Sequence, residues 1–261
     1  MPNMTICSAI RGENPGQVVV THAYLVDAVG DDFDDIDAAD LACGQCHVEY
    51  YFDPVTKATT LPHDSLASMS PDAILDYYNN VLVDADGLGF ADFTSPNTGI
   101  RVIKVQHPEM ETYLGEGSVH RGKFTCADCH MTEVQDENGN KYMNHFLSSP
   151  LENPDLIERT CSSCHDNLVA EIEALEADVI ARTTEVGENL VKLHNAITAA
   201  MESGNYTEDE LNAIRNVARD AQFYWDFVFV ENSNGAHNSK LTYDCLDKAA
   251  ALTEQAMGMF K

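Results

Sequence analysis

The chain has 261 residues, an apolar fraction of 44% and a formal net charge of −28, from 43 acidic and 15 basic residues. That length suits one sizeable domain or two small ones, and that charge repels phosphate backbones and anionic membranes, which argues against nucleic acid as a partner. No apolar run approaches the roughly 18–20 residues of a membrane span, and the acidity itself reads first as solubility or adaptation to salt.

The first sixteen residues lack the basic and apolar regions of an export signal. The run Asp31-Asp32-Phe33-Asp34-Asp35-Ile36-Asp37 reads as a solvated face or a helix start. Next comes Cys43-Gly44-Gln45-Cys46-His47. Ser70-Pro71-Asp72 predicts a helix running through Tyr78, because serine can cap and proline fits the first turn. Asp84-Ala85-Asp86-Gly87 hints at a calcium loop but lacks the later ligands, so a turn is expected. A second cysteine pair follows, Cys126-Ala127-Asp128-Cys129-His130, then a tight turn at Asp136–Asn140 between extended segments. The third is Cys161-Ser162-Ser163-Cys164-His165.

After His165 the pattern changes. Leu168, Ile172, Leu175, Val179, Thr183, Val186, Leu190, Leu193 and Ile197 recur three and four apart. They predict one helix of about 35 residues, about 50 Å long, ended by Gly204 and Asn205. Thr207 and Glu210 form a capping box for a second helix, which Asn234-Gly235 ends. A last helix starts near Lys240. So narrow an apolar stripe predicts helix–helix packing, within the chain or between subunits. The expected class is mainly α: a loop-rich region around the cysteine motifs over 1–165, and a long-helix region over 166–261, in one continuous domain.

Three C-x-x-C-H motifs have a direct chemical reading. Two thiols three positions apart add to the two vinyl groups of one heme, and the adjacent histidine ligates its iron. Zinc would pair two such motifs and need no histidine after each, and a thioredoxin-like pair would occur once in a βαβ setting. Three covalently attached hemes c are therefore expected, at Cys43/Cys46, Cys126/Cys129 and Cys161/Cys164. Such attachment takes place outside the cytoplasm. Either an N-terminal part precedes this sequence or the chain is exported with a partner, and a periplasmic or other extracytoplasmic location follows. Cys7 and Cys245 are left over, as structural thiols or one disulfide.

Seven histidines remain as second axial ligands. His120, His145 and His237 stand in polar, Gly- or Asn-rich loops that can bring an imidazole over a heme face. His194 lies among Leu190, Leu193 and Ile197, as a packed core or interface residue would. His22 and His63 read as structural.

Three strings in this order, Cys43-Gly44-Gln45-Cys46-His47-Val48-Glu49-Tyr50-Tyr51-Phe52, Lys104-Val105-Gln106-His107-Pro108-Glu109, and His120 ahead of the second motif, resemble the pentaheme, ammonia-forming cytochrome c nitrite reductases. The resemblance continues through Tyr142 and His145 to Asn234-Gly235-Ala236-His237. It implies the C-terminal portion of that family, carrying its third to fifth hemes, with the catalytic heme upstream. By the same resemblance, Tyr50 and His107 are the distal active-site pair. Glu49 and Gln106 side chains, with the Tyr50 and Lys104 carbonyls, hold calcium. His120 is the distal ligand of the fifth heme, His237 of the fourth and His145 of the second. Implied partners are nitrite, an upstream heme segment or subunit, a quinol dehydrogenase or cytochrome as electron donor, and a second copy in a homodimer. Hydroxylamine, nitric oxide and sulfite stay open as substrates. The competing reading is a tri-heme electron relay without a substrate site.

The residue types suit the chemistry. Nitrite reduction takes six electrons and several protons at one iron. An imidazole can donate charge and a proton near neutral pH, and a phenol can hydrogen-bond to a bound ligand. A calcium ion beside both would fix their backbones and add positive potential to an anion site in an acidic protein.

Overall fold

The computed structural model describes residues 36, 38–44, 46–131, 133–144 and 148–261. Cys7, His22, His145 and nearly all of the acidic run 31–37 lie outside the described residues.

Short elements fill the first part. Helix α1 (Ala38–Cys43) leads into the first cysteine motif. Strands β1 (Tyr51–Phe52) and β2 (Thr59–Thr60) pair antiparallel. Helix α2 (Pro71–Asp76) starts as predicted, with the Ser70 hydroxyl accepting the Ala73 N–H, and continues as a π-helical turn over Tyr77–Val81. In the predicted turn, Asp84 Oδ1 accepts the N–H groups of Asp86 and Leu88. Strands β3 (Phe93–Thr94) and β4 (Arg101–Val102) follow, then helices α3 (Glu109–Leu114) and α4 (Cys126–His130). The hairpin of β5 (Glu133–Gln135) and β6 (Lys141–Met143) brackets the predicted turn at Asp136–Asn140. Helix α5 (Pro154–Arg159) precedes the third motif.

Three helices dominate the rest: α6 (Leu168–Ser203), α7 (Glu208–Phe229) and α8 (Ser239–Met257). Helix α6 has 36 residues and buries Val179, Thr183, Val186, Leu190, Leu193 and Ile197, all on the predicted stripe. Leu193 and Ile197 are fully buried, and each contributes about 1.5–3 kcal/mol of hydrophobic stabilisation. Gly204 ends the helix in the left-handed conformation, φ +66°, which costs a residue without Cβ little. The Thr207–Glu210 capping box is present in both directions. Helix α7 stops at Phe229, short of Asn234-Gly235, because Val230 already serves as its C-cap.

Helices α6, α7 and α8 share a core with Tyr51, Ile74, Tyr78, Phe90, Ile100 and Val105. Two buried arginines of α7 fasten the intervening loop. Arg215 Nε donates to the Thr98 carbonyl at 2.7 Å. Arg219 donates to the carbonyls of Phe90 and Arg101 and to Asn79. A Cβ on Gly99 would meet the Arg215 guanidinium at 2.8 Å, and Gly99 holds φ +73°, so both space and backbone favour glycine there. These bonds hold the chain just before Lys104–His107. A second, smaller cluster of Leu41, Val48, Leu61, Met69, Met110 and Leu114 packs beneath the first motif. Cys245 is a buried core thiol, and burial pushes its pKa up to about 12.

Candidate functional site

Each cysteine motif forms a helical turn. The His47 N–H donates to the Cys43 carbonyl at 3.1 Å, and the His165 N–H to Cys161 at 3.0 Å. The second motif is α4 itself, started by a capping box in which Thr125 and Asp128 bond reciprocally. The first two motifs touch. The Cys126 N–H donates to buried Asp40, on the helix that leads into the first motif, at 2.7 Å.

Two histidine pairs test whether these turns suit heme. The ring centroids of His120 and His165 lie 6.2 Å apart, and those of His130 and His237 also 6.2 Å apart. Two imidazoles bonded from opposite faces of one metal at about 2 Å each put their centroids about 6 Å apart. The outer nitrogens also find acceptors. His165 Nδ1 is 2.9 Å from Glu171, His237 Nδ1 2.6 Å from Glu231, and His130 Nδ1 3.3 Å from the Ser148 carbonyl. Such acceptors fix the tautomer and leave Nε2 free to ligate. The donor sets therefore fit heme c at the second and third motifs.

The third close pair is different. His47 and His107 have centroids 6.3 Å apart, but both Nδ1 atoms face one carboxylate oxygen, Glu109 Oε1, at 3.5 and 4.0 Å. That shared oxygen holds the two Nδ1 atoms closer than Nε2 ligation of one iron from opposite faces permits. His47 therefore has the geometry of a motif ligand without His107 as its axial mate. Glu109 raises the His47 pKa. Burial pushes the Glu109 carboxyl up, but bonds from His47 and Asn232 outweigh it and leave it lowered.

The two active-site strings lie side by side. Glu49 is fully buried. Its Oε2 accepts the Gln106 N–H at 2.6 Å, and its Oε1 accepts the Tyr78 hydroxyl at 2.9 Å. Tyr50 and His107 each follow one residue later. Burial and the nearby Glu49 charge raise the Tyr50 phenol. Burial drives the Glu49 carboxyl well above its ordinary value, so a cation beside it would favour its ionised form. The Gln106 side-chain amide sits 3.1 Å from the Lys104 carbonyl. Turned over, it would present a second oxygen there. Among the described residues no group of three His, Cys, Asp or Glu side chains could hold a metal ion by itself, so a calcium ion would draw on carbonyl and amide oxygens beside Glu49. Both Glu49 oxygens keep acceptor capacity for it. The donor set fits a hard cation.

Sequence reasoning missed the supports beneath these residues. Glu111 Oε1 accepts the Glu49 N–H at 2.9 Å and lies 2.7 Å from His63 Nε2, with both side chains fully buried. His63, read as structural, thus braces the Glu49–Tyr50 segment through Glu111. Glu171 and Glu231, each six residues from the histidine it bonds, carried only a weak signal: an acidic residue near a ligand histidine. His194 is partly buried on α6, as expected of a packed residue.

Comparison with known proteins identifies the family. The cytochrome c552 family model matches residues 21–260. A solved structure of the catalytic subunit of cytochrome c nitrite reductase from Desulfovibrio desulfuricans ATCC 27774, described with two calcium sites, is 28% identical with a TM-score of 0.74. The match covers 88% of this chain and 50% of that one, so the chain spans half the length of that relative. The outer cell wall cytochrome OcwA is 20% identical with a TM-score of 0.40, over 81% of this chain and 45% of that one. Among the described residues no helix is long and apolar enough to cross a membrane. The mainly helical fold, the three heme-type turns and the match over residues 21–260 establish that this chain belongs to the cytochrome c552 family, whose cofactor is heme c.

Proposed function

We propose that this chain is the electron-supplying portion of an ammonia-forming cytochrome c nitrite reductase. It carries three covalent hemes, at Cys43/Cys46/His47, Cys126/Cys129/His130 and Cys161/Cys164/His165, with His237 and His120 as the distal ligands of the last two. His145 is the distal ligand of an upstream heme. Tyr50 and His107 face the catalytic iron supplied by an upstream segment or subunit, and Glu49, Gln106 and the carbonyls of Tyr50 and Lys104 hold calcium. The observation that carries the reading is the Glu49–Gln106 hydrogen bond, which lays the Tyr50 and His107 strings side by side. An electron relay needs no such arrangement.

When bound, the hemes supply single electrons in quick succession. The chain's own residues bind and protonate. His107 can donate a proton and positive charge to an oxygen of an anionic substrate, and the Tyr50 hydroxyl can hydrogen-bond to it. Glu49 and Gln106 hold the two backbones in register. The electron donor would be a quinol dehydrogenase or a cytochrome, the location extracytoplasmic, and the long helices the homodimer contact. Residues 1–165 and 166–261 would form one continuous domain.

The test is an ammonia assay with reduced viologen and nitrite, with and without the upstream two-heme segment. Ammonia is expected only with the segment present, and Tyr50→Phe or His107→Ala should then lower it by about 10²–10⁴-fold. Rapid ammonia formation by the isolated chain contradicts the reading. So does an intact mass that differs from three added hemes.

A further inference from the structure

Glu109 opens α3 two residues after His107, and its side chain is only 8% exposed. One of its oxygens, Oε1, meets groups from three parts of the chain. It lies 3.5 Å from Nδ1 of His47, the histidine of the first cysteine motif. It lies 4.0 Å from Nδ1 of His107, on the substrate side. It accepts the Asn232 amide at 2.5 Å, from the loop after α7. The Met110 N–H donates to the His47 carbonyl at 3.1 Å, which ties the same turn of α3 to the motif backbone. A charged acceptor behind a ligand imidazole makes its ligating nitrogen more basic and so favours the oxidised iron.

We propose that Glu109 is a positioning residue for electron delivery: its buried carboxylate lowers the reduction potential of the heme at Cys43/Cys46 through His47. The inference rests on the heme reading above. Asn232 opposes the effect, because its amide withdraws charge from the oxygen that His47 uses. The loop after α7 thereby bonds the same carboxylate that faces His47.

The experiment is a spectroelectrochemical titration of the heme-loaded chain, with intact mass measured on every sample. Glu109→Gln should raise the potential of one heme and leave the other two unmoved. Glu109→Asp keeps the charge and should return most of that shift. Asn232→Ala should move the same heme in the opposite direction, and it carries the test if Glu109→Gln does not fold. Three hemes with unmoved potentials overturn the inference alone. Equal shifts of all three hemes, or the same shift in the Asp and Gln variants, also overturn it. A wild-type mass without three hemes overturns the heme reading and this inference together.

Discussion

Asp226 on α7 sits in a setting unkind to a carboxylate. It accepts a 3.3 Å bond from Gln222 Nε2, and Gln222 Oε1 is buried without a hydrogen-bond partner. Burial pushes the Asp226 pKa up to about 7, from an ordinary 3.8. The folded value lies above the unfolded one, so between about pH 4 and 7 the folded state holds a proton that the unfolded state has lost. Stability therefore falls as pH rises through that window and levels off above it. At about 1.4 kcal/mol per pKa unit, the full shift sets a ceiling of about 4 kcal/mol, and partial solvent access at this residue reduces it to about 2–3. Asp226→Asn removes the charge and offers a donor to Gln222 Oε1. Urea unfolding of both proteins, followed by far-UV circular dichroism at pH 5 and pH 7.5, measures the effect. The variant should be more stable at both, with a gain about 1–2 kcal/mol larger at pH 7.5. A gain that does not depend on pH, or a loss of stability, refutes the reasoning.

Other perturbations probe the site and its supports. His237→Met should raise the potential of one heme, since Met/His ligation is more oxidising than bis-His; unchanged visible spectra and potentials would show that His237 does not pair with His130. Glu111→Ala strands the Glu49 N–H and His63 Nε2 in the core and should cost about 3–5 kcal/mol in unfolding experiments, and a neutral result would remove the bracing role. Glu49→Gln should weaken calcium binding at least about tenfold by calorimetry, whereas wild-type affinity would move the calcium site elsewhere. Thr207→Ala should destabilise by about 1 kcal/mol through the lost cap of α7, read from the thermal midpoint.

Much of this protein was legible along the chain because the physics that decides it is local. Two thiols and a histidine within five residues define a heme-type turn, whatever surrounds it. The stripe on α6 repeats with the helix period, so its buried face and its length followed from the spacing of Val179, Val186, Leu193 and Ile197. Gly204 and the Thr207–Glu210 box marked their helix ends because capping bonds span only three or four residues. The end of α7 was misread by about five residues, since Val230 closes the helix without a glycine signal.

The site's supports were illegible for the opposite reason. His63 and Glu111 are 48 residues apart, Glu49 and Glu111 are 62, and Asn232 and Glu109 are 123. A hydrogen bond between buried groups is strong because water is excluded, and folding alone decides which groups share a dry space. Sequence chemistry thus determined that the chain bears heme-type turns and where its long helices run. Residue chemistry left the distal histidines open and the resemblance alone named His120 and His237; the tertiary structure sets these rings 6.2 Å from His165 and His130 and turns His47 and His107 toward one oxygen of Glu109. Motif and helix period are written within a few residues, whereas the direction of an imidazole is set by the acceptor that packing brings behind it.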